Sequence, residues 1–100
     1  MTMDVQKTIN GTELLVKISG FLNSQTASSF ENELLPAMEG MTNLILDFSE
    51  LDFISSAGLR VLFKAYDKMP GKGNVVVKGA NKDVREVFTI TKLNELLAVE

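Results

Sequence analysis

The stretch LDFISSAGLRVLF, Leu51–Phe63, places two serines and a small Ala-Gly pair between two strongly apolar runs. A junction between a strand and a helix needs one capping residue, and Ser55 or Ser56 can fill that role by accepting a hydrogen bond from the first helical N–H groups, which is worth about 1 kcal/mol. The hydroxyl of the other serine is then not needed for helix capping. Ala57 and Gly58 have little side-chain bulk, so another molecule could approach the backbone here. The stretch therefore predicts a strand-to-helix junction that also meets a partner.

The residues on either side of this junction predict an α/β fold. The run NLILDF, residues 43–48, is short, apolar and rich in branched side chains, which is typical of a central strand buried on both faces. The helix that follows is amphipathic. Its apolar stripe contains Leu59, Leu62, Phe63 and Tyr66. Its basic stripe, Arg60, Lys64 and Lys68, is read either as a solvated face or as a surface for acidic partner residues.

The remaining elements alternate in the same way along one predicted domain, residues 1–100. MDVQKTIN and ELLVKIS flank Asn10-Gly11, which favours an N-terminal hairpin with a two-residue turn. Asn23 or Ser24 can cap a first helix, whose buried face is predicted to contain Ala27, Phe30, Leu34 and Met38. Pro36 predicts a kink or an early end of that helix, with Gly40 closing it.

The last third of the sequence completes a sheet of four to five strands. A strand, NVVVKG, follows a break at Pro70-Gly71, and Asn81 caps a third helix with a break near Thr91 and a short final turn or strand. Strands that alternate with helices are joined by crossovers, whereas the N-terminal hairpin is antiparallel. We therefore expect a mixed sheet with helices packed on it.

Composition excludes several classes of function. The chain has 100 residues and a formal net charge of −3, and it contains neither cysteine nor histidine. Thiol nucleophiles, thiolate metal sites and the commonest general base are therefore absent, so we expect no enzyme, cofactor or metal site. No charge block suggests direct nucleic-acid binding, and no apolar run approaches the roughly 20 residues of a membrane span. We expect a cytoplasmic protein that binds other proteins.

A family resemblance adds to this interpretation. LILDFSELDFISSAGLRVLFKAY, residues 44–66, resembles the central motif of the STAS superfamily, specifically of bacterial anti-sigma-factor antagonists, and GFLNSQTA, residues 20–27, resembles the loop before that family's first helix. The resemblance implies the STAS fold, with Ser56 as the phosphoacceptor and Asp47 as the acidic residue that ends the central strand. An aspartate as turn former is an equal interpretation of Asp47. The best-known members carry aspartate where this chain has Ser55, and often where it has Asn23, which leaves Ser55 as a competing acceptor.

The function implied by the resemblance is a phosphorylation switch. Such a protein binds an anti-sigma factor that is also a serine kinase, so that a sigma factor is released, and phosphorylation of its serine switches it off; a phosphatase would reverse the change. The predicted partner contacts are Asn23, Ser24, Asp47, Phe53, Ile54, Ser55, Ser56, Ala57, Gly58 and Arg60. The alternative is a non-enzymatic scaffold subunit of a larger assembly, such as a lipid-transport ABC complex, in which Ser56 is only a helix cap.

Overall fold

A computed structural model describes residues 3–69 and 74–100 of the chain. The strands are β1 (Met3–Asn10), β2 (Glu13–Leu22), β3 (Asn43–Ile54), β4 (Asn74–Lys78) and β5 (Ala98–Val99). The helices are α1 (Ala27–Ala37), α2 (Ser56–Lys68) and α3 (Lys82–Ile90), followed by a 3₁₀ turn, Leu93–Glu95. The predicted break at Pro70-Gly71 lies outside the described residues.

The five strands form one mixed sheet in the order β1-β2-β3-β4-β5. β1 pairs antiparallel with β2, and the three other pairings are parallel. Parallel neighbours need a crossover, and α1, α2 and α3 lie in the three crossover segments. The predicted mixed α/β sheet with an N-terminal hairpin is confirmed, and β3 is its central strand.

The hairpin turn is shifted by one residue from its predicted position. Asn10 pairs with Glu13, so the two turn residues are Gly11 and Thr12 rather than Asn10 and Gly11. Gly11 has a φ of 64°, a conformation that glycine adopts without steric penalty. Asn10 can therefore remain in the strand.

Only one face of the sheet is buried, which corrects the prediction that the central strand is covered on both. Leu44, Leu46 and Phe48 are fully buried, whereas the residues that alternate with them along β3 are partly exposed. The Phe88 ring of α3 stacks on Phe48 with ring centroids 6.2 Å apart. We call the opposite side the open face: its in-register residues are Leu15, Ile45 and Val76 in one row and Lys17, Asp47 and Lys78 in the next.

The first helix ends one residue after its proline. Ala27, Phe30, Leu34 and the following Met38 are buried, as their helical spacing predicts. The helix ends at Ala37, directly after Pro36, and Gly40 has a φ of 78°. The predicted early end and glycine closure are therefore confirmed.

The buried stripe of α2 differs from the predicted one. Phe63 is 52% exposed, and Leu59 and Tyr66 are only partly buried. The buried positions are Gly58, Val61, Leu62 and Ala65. Two of these have little or no side chain, and their small size allows α2 to lie close to the sheet, which leaves the larger apolar residues at its borders.

Asn81 both caps α3 and ties it to the central strand. Its Oδ1 accepts a hydrogen bond from the Val84 N–H at 2.9 Å, and its Nδ2 donates to the Leu51 carbonyl at 3.1 Å. The helix ends at Ile90, which confirms the predicted break near Thr91, and Lys92 has a φ of 63°.

Asn81→Ala is expected to lower the free energy of unfolding by about 1–2 kcal/mol, because it removes a helix cap and leaves the Leu51 carbonyl without its amide donor. Urea denaturation of the variant measures this loss. Asn32→Ala, at an exposed position within α1, is the control and is expected to be neutral or slightly stabilising. Equal urea midpoints for wild type and Asn81→Ala would contradict the stabilising role assigned to the Asn81 side chain.

Candidate partner-binding site

The junction between β3 and α2 is fixed by its backbone. Ser55 is the N-cap residue of α2, with a φ of −105° and a ψ of 176°. Its N–H donates to the Leu22 carbonyl at 2.9 Å, and its carbonyl accepts from the Leu59 N–H at 3.0 Å. The start of α2 is therefore tied to the end of β2, beside the last residue of β3.

The two adjacent serines have different environments. The Oγ atom of Ser55 is buried and has no hydrogen-bond partner among the described residues, so the predicted side-chain cap is not formed. Ser56 is the first residue of the helix and is exposed. The stretch therefore presents one hydroxyl to the surface and encloses the other.

The amino end of α2 is electropositive. Its first turn contains no acidic residue, so no carboxylate there offsets the positive end of the helix dipole. The exposed hydroxyl of Ser56 lies in this field, in which a phosphoryl group with about −1.5 to −2 charges would be stabilised.

Gly58 holds α2 close to the sheet. A Cβ atom at this position would lie 2.7 Å from Leu22 Cγ and 3.0 Å from Ile54 Cγ1. Gly58 is buried, and the space that a side chain would need is already occupied by the chain itself. This corrects the interpretation of Gly58 as an opening for a partner, whereas Ala57 is half-buried and borders the surface.

The loop before α1 is a turn built on Asn23. The Oδ1 atom of Asn23 accepts hydrogen bonds from the N–H groups of Gln25 at 2.9 Å and Thr26 at 3.2 Å. The helix begins at Ala27 with Thr26 as its N-cap residue, so the prediction that Asn23 or Ser24 is the cap is wrong. Thr26 takes that position because its Oγ1 is held by the Phe21 carbonyl, to which it donates at 2.8 Å. Ser24 remains exposed in this turn.

Two grooves flank the exposed side of α2 and bring several predicted residues together. The α1–α2 groove, about 350 Å³ in volume, is lined by Ser24, Ala57 and Arg60 among others. The C-terminal groove, about 510 Å³, lies between α2 and the segment 91–96, with Ser56 and Arg60 in its lining. These four residues therefore form a continuous surface around the first turn of α2.

Phe53 and Ile54 have opposite environments. Phe53 is 46% exposed, and its ring centroid is 6.3 Å from that of Phe21, whereas Ile54 is 4% exposed and belongs to the core. This agrees with the alternation expected along a strand, in which one residue faces outward and the next anchors the junction.

Asp47 does not lie with the serines. The central strand continues past it to Ile54, with two register shifts against β2, so Asp47 does not end the strand as predicted. It lies on the open face, in register with Lys17 and Lys78. Six residues of strand lie between Asp47 and Ile54, a distance of about 20 Å.

Hydrogen bonds hold the pKa of Asp47 below its usual value. The Ser49 N–H donates to Asp47 Oδ1 at 3.0 Å, and the Ser49 hydroxyl and the charge of Lys17 act in the same direction, partly opposed by desolvation. A carboxylate whose pKa is lower in the folded than in the unfolded state stabilises the fold at any pH above its pKa in the unfolded state. This contribution is lost as the pH falls through the pKa in the folded state.

Asp47→Asn is therefore expected to lower the free energy of unfolding by about 0.5–1 kcal/mol at pH 7 and by progressively less at a second, acidic pH below the usual pKa of an aspartate. Urea denaturation at the two pH values measures the difference, with Asp4→Asn on the exposed edge strand as the control. A loss of the same size at both pH values would show that the hydrogen bonds do not depend on the charge.

Among residues 3–69 and 74–100 no group of three or more acidic side chains could hold a metal ion. Sequence reasoning missed the wall of the C-terminal groove formed by Leu93 and Leu96. Its only signal is the excess of leucines after Thr91, which a short terminal turn also explains.

Comparison with known proteins identifies the family. The STAS domain model matches residues 3–100. A protein of Bordetella bronchiseptica named as an anti-sigma factor antagonist, BtrV, is 39% identical over 80 residues, which are 78% of this chain and 69% of that protein. The chain belongs to the STAS domain family.

Solved structures agree with the fold. The crystal structure of an anti-sigma factor antagonist from Mycobacterium paratuberculosis has a TM-score of 0.90 at 20% identity, covering 98% of this chain and 85% of the other. The Bacillus cell fate determinant SpoIIAA in its phosphorylated form has a TM-score of 0.76 at 16% identity, with coverages of 97% and 91%. None of the described helices is both long and apolar enough to span a membrane.

Proposed function

We propose that this protein is an anti-sigma-factor antagonist that acts in the cytoplasm. It binds an anti-sigma factor of the serine-kinase type through the surface around the first turn of α2, and a sigma factor is thereby released. Phosphorylation of Ser56 ends this binding, and a phosphatase restores it. The chain itself catalyses no step in this scheme.

The observation that carries the proposal is the contrast between the two serines. Ser56 is exposed at an electropositive helix end, whereas the Ser55 hydroxyl is buried. A kinase must reach the hydroxyl that it modifies, so Ser56 is the better acceptor of the two. The relative from Bordetella, named as an anti-sigma factor antagonist, supports the assignment of the partner.

The position of Ser56 also defines how phosphorylation acts. A dianionic group at the amino end of a helix stabilises that helix, so the modification does not act by unfolding α2. It acts at the interface, where it adds charge and volume against a partner surface fitted to a small hydroxyl.

Capture on immobilised protein tests the proposal. Wild type, Ser56→Ala and Ser56→Asp are incubated with extract of the source organism, with ATP or ADP added, and the bound proteins are identified by mass spectrometry. Wild type and Ser56→Ala are expected to retain an anti-sigma factor with a kinase domain, and Ser56→Asp is expected to lose it. Equal capture of one partner, such as the ATPase of a transport complex, by all three forms would contradict the phosphorylation switch and favour a scaffold.

A further inference from the structure

We propose that the C-terminal groove binds an acidic, amphipathic segment of the anti-sigma factor. The proposal rests on the function proposed above and specifies the chemistry of its partner. It concerns the groove between α2 and residues 91–96, which sequence reasoning did not identify.

The floor of the groove is apolar. Leu59, Phe63, Leu93 and Leu96 contribute to its lining, in a cavity of about 510 Å³. Phe63 is 52% exposed and Leu96 is 40% exposed, so two large apolar side chains meet solvent on facing walls. A partner that carries apolar side chains on one stripe would bury both.

The rim of the groove is basic although the chain as a whole is acidic. Arg60, Lys64 and Lys92 line it, while the net charge of the chain is −3. Lys64 is paired with Glu31 at 3.0 Å. Arg60 and Lys92 form no ion pair with any residue in the described ranges 3–69 and 74–100. Two cations that flank an apolar channel select a segment with carboxylates beside its apolar stripe.

The backbone at Lys92 supports a role for this side chain. Its φ of 63° is the only positive value among the described residues other than glycine. Glycine or asparagine adopts this conformation at lower energy than lysine, so the charged side chain is retained here at a cost in local stability. Lys92 lies in the groove lining, where its ammonium group can pair with a carboxylate of the bound segment.

The groove is continuous with the proposed switch. Ser56 lies in the lining, one helical turn from Arg60 on the same side of α2. A phosphoryl group on Ser56 would lie within reach of the Arg60 guanidinium and compete with the partner's carboxylate for it. Phosphorylation would then weaken binding partly by neutralising the rim.

The first test uses the anti-sigma factor identified by capture and isothermal titration calorimetry. Phe63→Ser is expected to weaken binding about tenfold, and Lys92→Asn and Arg60→Gln about threefold each, with a smaller loss for the charge variants at high salt. Lys92→Asn removes the charge and keeps a residue that tolerates positive φ. The controls are Ile90→Ser, an apolar side chain 77% exposed outside the groove lining, and Lys82→Gln on α3. Wild-type affinity for the anti-sigma factor in Phe63→Ser and Lys92→Asn would overturn the assignment of the groove as a binding site and leave the proposed function intact.

A second test needs no partner protein. A synthetic 18-residue helical peptide with a leucine stripe and glutamate flanks is titrated into ¹⁵N-labelled protein, beside a peptide with the same stripe and lysine flanks. The glutamate peptide is expected to shift the amide signals of residues 56–64 and 91–96 and to bind at least about fivefold more tightly than the lysine peptide. Equal binding of both peptides, shifts centred on the open face, or no shift at millimolar peptide would overturn the proposal. Groove binding of the peptide without capture of any anti-sigma factor would instead count against the proposed function and the named partner, while the preference of the groove for an acidic, amphipathic segment would stand.

Discussion

Ser56→Asp is expected to weaken binding of the anti-sigma factor about a thousandfold while shifting the melting temperature by no more than about 2 °C. The side chain is exposed, so the fold accepts the new carboxylate. The first turn of α2 contains no other acidic residue, and a negative charge there is favourable to the helix. In the complex the same charge would be desolvated against a partner surface fitted to a small hydroxyl, at a net cost of about 4 kcal/mol. Calorimetric titration and thermal denaturation of the same samples measure the two effects.

The neighbouring serine provides a matched control. Ser55→Ala removes a buried hydroxyl that has no hydrogen-bond partner among the described residues, so it is expected to leave binding unchanged and stability unchanged or slightly higher. Ser55→Asp would instead place a charge where the hydroxyl is buried and is expected to destabilise the fold. A large fall in melting temperature for Ser56→Asp would contradict the separation of interface from fold.

Gly58→Ala is expected to lower the free energy of unfolding by about 2 kcal/mol. Alanine is the better helix former by about 1 kcal/mol, and at an open helical position the substitution would stabilise the protein. Here the new methyl group would lie 2.7 Å from Leu22 Cγ, at a branch point of a fully buried side chain. The resulting overpacking costs about 3 kcal/mol and outweighs the gain in propensity. The melting temperature should fall by roughly 8–15 °C.

A comparison among glycines separates packing from backbone conformation. Gly40 has a φ of 78° and open space where a Cβ would be, so Gly40→Ala reports the conformational cost alone, about 1 kcal/mol. Gly58 lies within the helix, so its loss must come from contact with Leu22 and Ile54. Because Gly58 sets the position of the first turn of α2, Gly58→Ala is also expected to weaken partner binding. Unchanged or increased stability would contradict the close contact.

Local sequence signals predicted those parts of the fold that depend on local chemistry. Gly11 takes positive φ in the hairpin, α1 ends one residue after Pro36 and Asn81 caps α3, and each feature involves residues within a few positions of one another. The resemblance around Ser56 predicted the family because its motif lies on one contiguous junction. Such features can be read without knowledge of the tertiary packing.

The features that depend on distant contacts could not be predicted. The run 43–48 has the same composition whether or not a helix covers its second face, so the open face was not foreseen. The role of Gly58 depends on Leu22, which lies 36 positions away in the sequence. The C-terminal groove likewise requires α2 and residues 91–96 to meet. Asp47 lies away from the predicted site because β3 continues past it to Ile54.

The open face has a consequence for the behaviour of the protein at high concentration. Leu15, Ile45 and Val76 lie side by side across three neighbouring strands, and two such faces could stack on each other. The adjacent row of Lys17, Asp47 and Lys78 places charges that would have to be dehydrated in any such stack. Asp47 would therefore protect colloidal solubility, and exchanging its carboxylate for an apolar side chain is expected to make the open face prone to self-association and precipitation.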